Sequence, residues 1–274
     1  MAVHLNEPQT LYRNWEHEQW NPWDIDLRRD AEQWGNGFAA QERELVLWAL
    51  SSLMVAEERI TTKFGGLVLA ADSEEEASYL ASQQVDEARH MQFYARLQDE
   101  VVAEPEAIAA HVSRSRERLG ESFSVIFDQA LVDAHERLLA DPRDTAAKVA
   151  FVTTYHLIIE STLGLTAFEF ITRYLRENEL LPGFVEGYSR IHHDEQRHIG
   201  YGVWYLREAA SGALADQIRA TLRELLPATA AALAPPGEGT DFEALGATSE
   251  EIREFALGGL TRRLKIIGVP LDSL

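Results

Sequence analysis

Apolar residues recur every three or four positions along stretches that hold few or no prolines and are rich in Ala, Leu, Glu and Arg. This period matches the α-helical turn, and a proline inside a helix costs about 3 kcal/mol. The pattern predicts helices over 39–70, 73–101, 105–140, 143–178, 182–211, 213–233 and 248–265. Since no stretch shows the strict alternation of apolar and polar residues typical of strands, we expect an all-α protein.

Two breaks interrupt this helical pattern, at Pro182-Gly183 and at the loop 234–239, which reads Ala-Pro-Pro-Gly-Glu-Gly. The second could mark a domain boundary, but the 35 residues after it are too few for a separate core. We therefore predict a single domain, 1–274, in which residues 19–211 form the main bundle and residues 212–274 form carboxy-terminal helices packed on it.

Composition excludes several classes of function. The formal net charge is −20, which disfavours binding to nucleic acid, and the sequence has no cysteine, which removes disulfides, iron–sulfur clusters and thiolate nucleophiles. The first residues lack the basic and apolar regions of a signal peptide. The longest apolar stretch, 149–168, carries a Glu and a His and favours a core helix over a membrane span. We expect a cytoplasmic protein.

Two glutamates occupy positions that should be buried. Glu160 is the only Asp, Glu, Lys or Arg between Val149 and Phe168, and its helical neighbours are mostly apolar. Glu57 likewise shares its stripe with apolar residues. A buried carboxylate is normally protonated, paired or bound to a metal, because its charge is costly to remove from water.

A repeated motif follows each of these glutamates. Segments 86–90 and 194–198 read Asp-Glu-Ala-Arg-His and Asp-Glu-Gln-Arg-His, so each places a Glu and a His on one helix face. The chain thus holds two copies of one unit, a helix with a buried Glu and then a helix with Glu-x-x-His. Four such helices can hold a carboxylate-bridged dinuclear centre. The predicted ligands are Glu57, Glu87, His90, Glu160, Glu195 and His198.

The donor set restricts the metal. Oxygen and nitrogen donors without sulfur suit iron or manganese and fit zinc or copper poorly. Asp86 and Asp194 each precede a ligand Glu, and either could accept the free N–H of a ligand histidine or be a solvated surface residue. We expect Arg89 and Arg197 to be surface or salt-bridge residues, and we expect no third metal-binding histidine.

The sequence resembles a known family from about residue 20 to residue 210. Segment 20–26 (Trp-Asn-Pro-Trp-Asp-Ile-Asp), Arg29-Asp30 and the six ligands resemble the ferritin-like small subunit of class I ribonucleotide reductase, and more closely its relatives, the R2-like ligand-binding oxidases. Segment 56–61 is similar to a Gly-Glu-Glu-Ala-Val-Thr segment of these oxidases, and 154–160 to their segment with a tyrosine five residues before a ligand glutamate.

The resemblance implies roles for three further residues. In the oxidases, that tyrosine becomes joined through its oxygen to the Cβ of a valine, and the matching positions here are Tyr155 and Ile60. Helical periodicity does not select Tyr155, since five residues of α-helix turn it about 140° from Glu160. Tyr94 occupies the position of the radical tyrosine in reductase small subunits. Against a reductase, no tyrosine follows Tyr205, whereas reductase small subunits carry one in their carboxy-terminal tail.

Three functions are compatible with these observations. The resemblance favours a homodimeric oxidase that activates O2 for C–H oxidation with a manganese–iron pair, or with di-iron, beside a long-chain fatty acid or a similar apolar ligand. The alternatives are the radical-generating small subunit of a ribonucleotide reductase and a ferritin-like metal-storage protein. The native mass would separate the last of these, because storage requires a large cage.

Overall fold

The computed structural model describes residues 3–102, 105–234 and 242–274, and these residues form helices and turns with no strand. The α-helices are α1 Pro8–His17, α2 Arg28–Asn36, α3 Ala40–Thr62, α4 Gly65–Leu69, α5 Glu74–Leu97, α6 Ile108–Arg116, α7 Glu121–Ser124, α8 Leu131–Ala140, α9 Thr145–Val152, α10 Leu165–Glu177, α11 Pro182–Ala209, α12 Gly212–Ala232 and α13 Ser249–Ile267. The all-α prediction is confirmed.

Several predicted boundaries were wrong. Helices α1 and α2 were missed because they are short and mostly polar. The helix predicted over 105–140 is broken into α6, α7 and α8, with a turn at 117–118 and Gly120 directly before α7. The break predicted at 234–239 lies outside the described residues except for Ala234.

The long helix predicted over 143–178 is not α-helical throughout. Between α9 and α10, residues Thr153–Gly164 form a π-helix. There the hydrogen-bonding pattern runs from residue i to i+5, so the segment is wound more widely than an α-helix. Shorter π-helical turns occur at Gln98–Val102 and Val125–Ala130. π-Helical turns concentrate at functional sites, and this twelve-residue π segment contains Glu160, one of the predicted ligands.

Four elements form the centre of the bundle: α3 packs on α5, and α11 packs on both the π segment and α5. Their interior is filled by side chains with almost no exposed surface, among them Leu50, Met54, Phe93 and Ile158. Helix α1 lies across α5 and α11, while α12 and α13 pack against the π segment. The core therefore surrounds the segments that carry the predicted ligands.

Helix α11 approaches its neighbours closely at two glycines. A Cβ at Gly187 would lie 2.2 Å from Cζ of Phe93, and a Cβ at Gly202 would lie 2.2 Å from Cβ of His156. Real side chains do not approach so closely, so only glycine lets α11 pack at this depth.

In the described part of the chain, no helix has the length and apolar character required to span a bilayer.

Candidate dinuclear metal centre

The six predicted ligands meet in the centre of the bundle, and each is less than a tenth exposed. Helix α3 contributes Glu57, the π segment contributes Glu160, and α5 and α11 each contribute one Glu-x-x-His pair. Spacing of three residues puts Glu and His on the same inward face of each helix. The structure therefore brings together all six residues that the doubled motif selects.

Two groups of three donors can each surround one ion. Nδ1 of His90 lies 3.6 Å from Oε2 of Glu57 and 3.5 Å from Oε2 of Glu87. Nδ1 of His198 lies 2.9 Å from Oε1 of Glu160 and 3.1 Å from Oε1 of Glu87. In each group the donor atoms lie within 4.8 Å of one another. Glu87 offers one oxygen to each group, which is the position of a bridging carboxylate.

Glu195 belongs to neither group. Instead it lines a cavity together with the other three glutamates, so it lies beside the two groups of donor atoms. Burial raises the pKa of Glu195 well above its usual range, and the neighbouring Glu160 raises it further. Its predicted role would require its carboxylate to turn toward an ion.

Several of the atoms that could bind a metal ion have no hydrogen-bond partner. Among the described residues, Oε2 of Glu57, Nδ1 of His90, Oε2 of Glu160 and Oε2 of Glu195 are buried and find no hydrogen-bond partner. Buried polar atoms without partners are rare in folded proteins because each loses its hydration without compensation. Bound cations would supply the missing partners, and two divalent ions would balance four ionised carboxylates. The residues present therefore fit a dinuclear centre.

The carboxylates of the cation-free site differ in their proton affinity. Burial raises the pKa of Glu57 and of Glu160 to about 7, since a charge is poorly solvated there. Glu87 is equally buried, but the imidazoles of His198 and His90 outweigh this and hold its pKa well below the usual range. The bridging position thus has the most acidic of the four glutamates.

Each predicted ligand histidine is held from behind by an aspartate of the other motif. Nε2 of His90 lies 3.1 Å from Oδ2 of Asp194, and Nε2 of His198 lies 3.2 Å from Oδ2 of Asp86. The arrangement points both Nδ1 atoms at the glutamates. The sequence favoured this role for Asp194 and left Asp86 open between this role and a solvated surface position. The structure buries both aspartates completely.

The arginines of the two motifs contact these aspartates. Nη2 of Arg197 contacts Asp194 at 2.5 Å and Asp86 at 3.2 Å, and only 6 % of the Arg197 surface is exposed. Arg89 pairs with Asp86 at 2.5 Å. Both are salt-bridge residues, one of the alternatives that the sequence left open. His192 stacks on Phe168, with ring centroids 3.8 Å apart, and does not join the site.

Tyr155 reaches the same glutamates from the π segment. Its hydroxyl lies within hydrogen-bond distance of Glu87 and lies 2.6 Å from Oε1 of Glu160. Nε2 of Gln83 donates to the Tyr155 oxygen at 3.0 Å. Burial, and then the charge of Glu160, raise the pKa of Tyr155 well above its usual value, so the phenol stays protonated.

Sequence reasoning missed Gln83 and Trp15. Gln83 stands four residues before Glu87 on the same helix face, a spacing that could have revealed it. Nε1 of Trp15 donates to Oδ1 of Asp86 at 2.9 Å, across 71 positions of sequence. No local pattern signals such a distant contact.

Ile60 and Tyr94 lie on different sides of the site. Ile60 is buried and lines the cavity of the four glutamates, together with Phe123, Phe127 and Ile159. Tyr94 is also buried, and its ring packs edge-on against Tyr188, with centroids 6.4 Å apart. Among the described residues, neither of these two tyrosine hydroxyls has a hydrogen-bond partner.

An apolar space extends away from the glutamates. The cavity that they line has a volume of about 100 Å³, and a second cavity of about 100 Å³ shares Ser52, Leu53, Leu163 and Ala167 with it. The second is lined almost entirely by apolar side chains, including Trp48 and Phe170. The two cavities are therefore adjacent, and these four residues stand in the walls of both.

A four-helix core with inward-facing carboxylates and two Glu-x-x-His pairs defines the class of ferritin-like helical proteins. The family model for the small chain of ribonucleotide reductase matches residues 2–256, so the chain belongs to that family and is an oxidoreductase by class.

Solved structures with the same fold are R2-like ligand-binding oxidases. A glycine-to-phenylalanine variant with an anaerobically reconstituted Mn/Fe cofactor matches with a TM-score of 0.80 and 22% identity, over 96% of this chain and 94% of that chain. A valine-to-isoleucine variant matches with a TM-score of 0.82 and 21% identity, over 96% and 94% of the two chains. A tyrosine-to-phenylalanine variant, reconstituted aerobically, gives 0.80 and 21% over 95% and 93%. At these identities the likeness establishes the fold.

Proposed function

We propose that this protein is a dinuclear metal oxidase that uses dioxygen to oxidise a C–H bond of an apolar ligand. The observation that carries the proposal is a buried cluster of four glutamates and two histidines, with unsatisfied donor atoms, at the end of an apolar cavity. The proposed ligands are Glu57, Glu87, His90, Glu160, Glu195 and His198. The family and its Mn/Fe-containing neighbours support manganese and iron as the cofactor, with di-iron as the alternative.

When bound, a reduced metal pair would supply electrons for the reduction of dioxygen. The protein's own residues do the rest. Glu87 would contribute one carboxylate oxygen to each ion position, and Asp86 and Asp194 fix the histidine rings so that Nδ1 faces the glutamates. The apolar walls formed by Phe123, Phe127 and Ile159 exclude water and present the ligand's carbon chain to the centre.

Metal analysis tests the site. After reconstitution with Mn(II) and Fe(II), the wild-type chain should retain two ions per chain, whereas Glu160→Ala and Glu195→Ala should retain far less. Glu186→Ala is a matched control on α11, because Glu186 is exposed and distant from the motif's inward face. Full metal occupancy in both site variants would show that the assignment is wrong.

We propose a long-chain fatty acid or a similar small apolar molecule as the ligand. The supporting observation is a pair of adjacent cavities that share Leu163 in their walls, one of them lined almost entirely by apolar side chains. Leu163→Trp would fill space in these cavities and should abolish retention of added palmitate, measured by mass spectrometry of extracted protein. Leu139→Trp is the control, since Leu139 is half-exposed on α8. Retention of palmitate by Leu163→Trp at the wild-type level would place the ligand elsewhere.

One observation favours a second candidate, the radical-generating subunit of a reductase. Burial raises the pKa of the Tyr94 phenol well above its usual value, and the neighbouring Tyr188 and then the charges of Glu57 and Glu195 raise it further. In a reductase subunit, Tyr94 would be the residue that carries the radical.

A further inference from the structure

Residues 15–20, which are the last residues of α1 and the three that follow it, contact the two Asp-Glu-x-Arg-His motifs. Four side chains of this segment each contact a different charged residue of the motifs. The pairs are Trp15 with Asp86, Glu18 with Arg197, Gln19 with Arg89, and Trp20 with Asp194. Every aspartate and arginine of the two motifs therefore has a partner in this short segment.

The contact between Trp15 and Asp86 has a specific geometry. Oδ1 of Asp86 accepts from the indole N–H of Trp15 at 2.9 Å, while Oδ2 lies 3.2 Å from Nε2 of His198. Asp86 is completely buried, so no water competes for these oxygens. Arg89 also donates to Oδ1 at 2.5 Å, and Arg197 donates to Oδ2 at 3.2 Å. Together with Trp15 these donors fix the rotation of the carboxylate, and the carboxylate in turn fixes the imidazole ring.

We propose that Trp15 is a positioning residue for His198. Together with Arg89 and Arg197, its indole N–H holds Asp86, and Asp86 holds the ring so that Nδ1 faces Glu87 and Glu160. The inference rests on the proposed function, since it concerns the affinity of the ion held by these three residues. Trp15 contacts Asp86 and not Asp194, so its effect falls on one of the two ions.

The alternative role for Trp15 is simple packing. Trp15 is only partly buried, and its one described aromatic partner is Tyr12, whose ring centroid lies 5.8 Å away. A packing role would make the Trp15→Phe variant generally less stable and would weaken the binding of both ions equally. A positioning role would weaken the binding of one ion and leave the binding of the other unchanged.

The experiment uses full-length chains in which one ion position at a time is removed. The His90→Ala variant keeps only the ion position formed with His198. The His198→Ala variant keeps only the ion position formed with His90. Binding of Mn(II) alone is followed by the electron paramagnetic resonance signal of the free ion. Trp15→Phe should weaken binding about tenfold in the His90→Ala background and leave it unchanged in the His198→Ala background. The same two measurements are made with Trp23→Phe, because Trp23 is exposed nearby and should change neither.

A second measurement covers the case in which a histidine variant does not fold. In the otherwise wild-type chain, Trp15→Phe should weaken one step of the two-step Mn(II) isotherm and leave the other. Equal weakening of both steps, or no change in either, would overturn the positioning role. A wild-type chain that fails to bind two Mn(II) ions would instead overturn the proposed function, so the two failures are distinguishable.

Discussion

The hydroxyl oxygen of Tyr155 lies 2.6 Å from Oε1 of Glu160, a residue five positions later in the same helical segment. An α-helix would turn these two side chains about 140° apart, so they could not meet. The π-helix over Thr153–Gly164 brings residues five apart onto one face. This local winding delivers the tyrosine to the site.

The first prediction is an ether crosslink between Tyr155 and Ile60. Isoleucine keeps the tertiary Cβ–H that such a bond requires, and its β-branched side chain has few rotamers. Dioxygen activated at the metal pair would take two electrons and two protons, one hydrogen from the phenol and one from Cβ. Aerobic reconstitution with manganese and iron followed by peptide mass mapping should reveal a joined peptide pair, lighter by two hydrogens. Tyr155→Phe is the control that cannot form it.

The second prediction separates the oxidase from a reductase subunit. If the protein is an oxidase, aerobic reconstitution should leave no long-lived tyrosyl radical. A reductase subunit would show a stable signal in electron paramagnetic resonance that disappears in Tyr94→Phe. Tyr188→Phe provides a comparison, because Tyr188 is the buried neighbour of Tyr94. A stable signal that Tyr94→Phe abolishes, together with unjoined peptides, would favour the reductase.

How far the sequence predicts the site depends on the range of the interactions. Helical periodicity is a local property of the sequence. It predicts the long helices of the bundle, the burial of Glu57 and Glu160, and the repeated Glu-x-x-His pairs. The π segment does not, because no short pattern distinguishes i→i+5 from i→i+4 bonding when tertiary packing decides between them. For the same reason, the sequence could not reveal that Asp86 faces His198 and not the histidine of its own motif. The ligand roles themselves stay predictions until metal is measured.

The third prediction concerns stability and pH. The backbone N–H of Gly66 donates to Nδ1 of the buried His135 at 3.2 Å, which requires an unprotonated nitrogen. Burial, and then the charge of Lys63, lower the pKa of His135. The unfolded chain therefore takes up the proton first, so this residue's contribution to stability is complete above its ordinary pKa and is lost as the pH falls below it.

Urea unfolding at about pH 7.5 and about pH 5.5 measures this effect. His135→Asn is the comparison, since the amide oxygen can accept from Gly66 but does not titrate. The wild-type protein should lose more stability on acidification than the variant does. Equal losses would show that His135 is not the titrating group.

The fourth prediction concerns the close approach of α11. Gly187→Ala would press a methyl group into the ring of Phe93 and should lower the free energy of unfolding by about 1–3 kcal/mol. Gly200→Ala on the same helix is the matched control, because its Cβ would be 4.0 Å from the nearest side-chain atom. That variant should gain up to about 1 kcal/mol from helix propensity. Similar changes in both variants would contradict the packing argument.

The fifth prediction is a homodimer that packs through helices flanking Glu57 and Glu87. Sedimentation should give twice the chain mass of 30.8 kDa, and a cage-sized particle would favour metal storage. Val85 is half-exposed on α5, two residues before Glu87, and Val85→Asp should weaken association. Leu257→Asp, an equally exposed position on α13, should not. A monomeric wild-type protein would contradict the prediction.

Because the aspartate of each motif contacts the histidine of the other motif, cleavage of the chain between the two motifs would separate each histidine from its aspartate. A cut in the turn at 141–144 would give one fragment with His90 and Asp86 and another with His198 and Asp194. Each fragment would then hold a histidine whose orienting carboxylate is on the other fragment. Neither half could preform its own site, so metal-dependent reassembly of the two fragments would report directly on the mutual dependence of the two repeats.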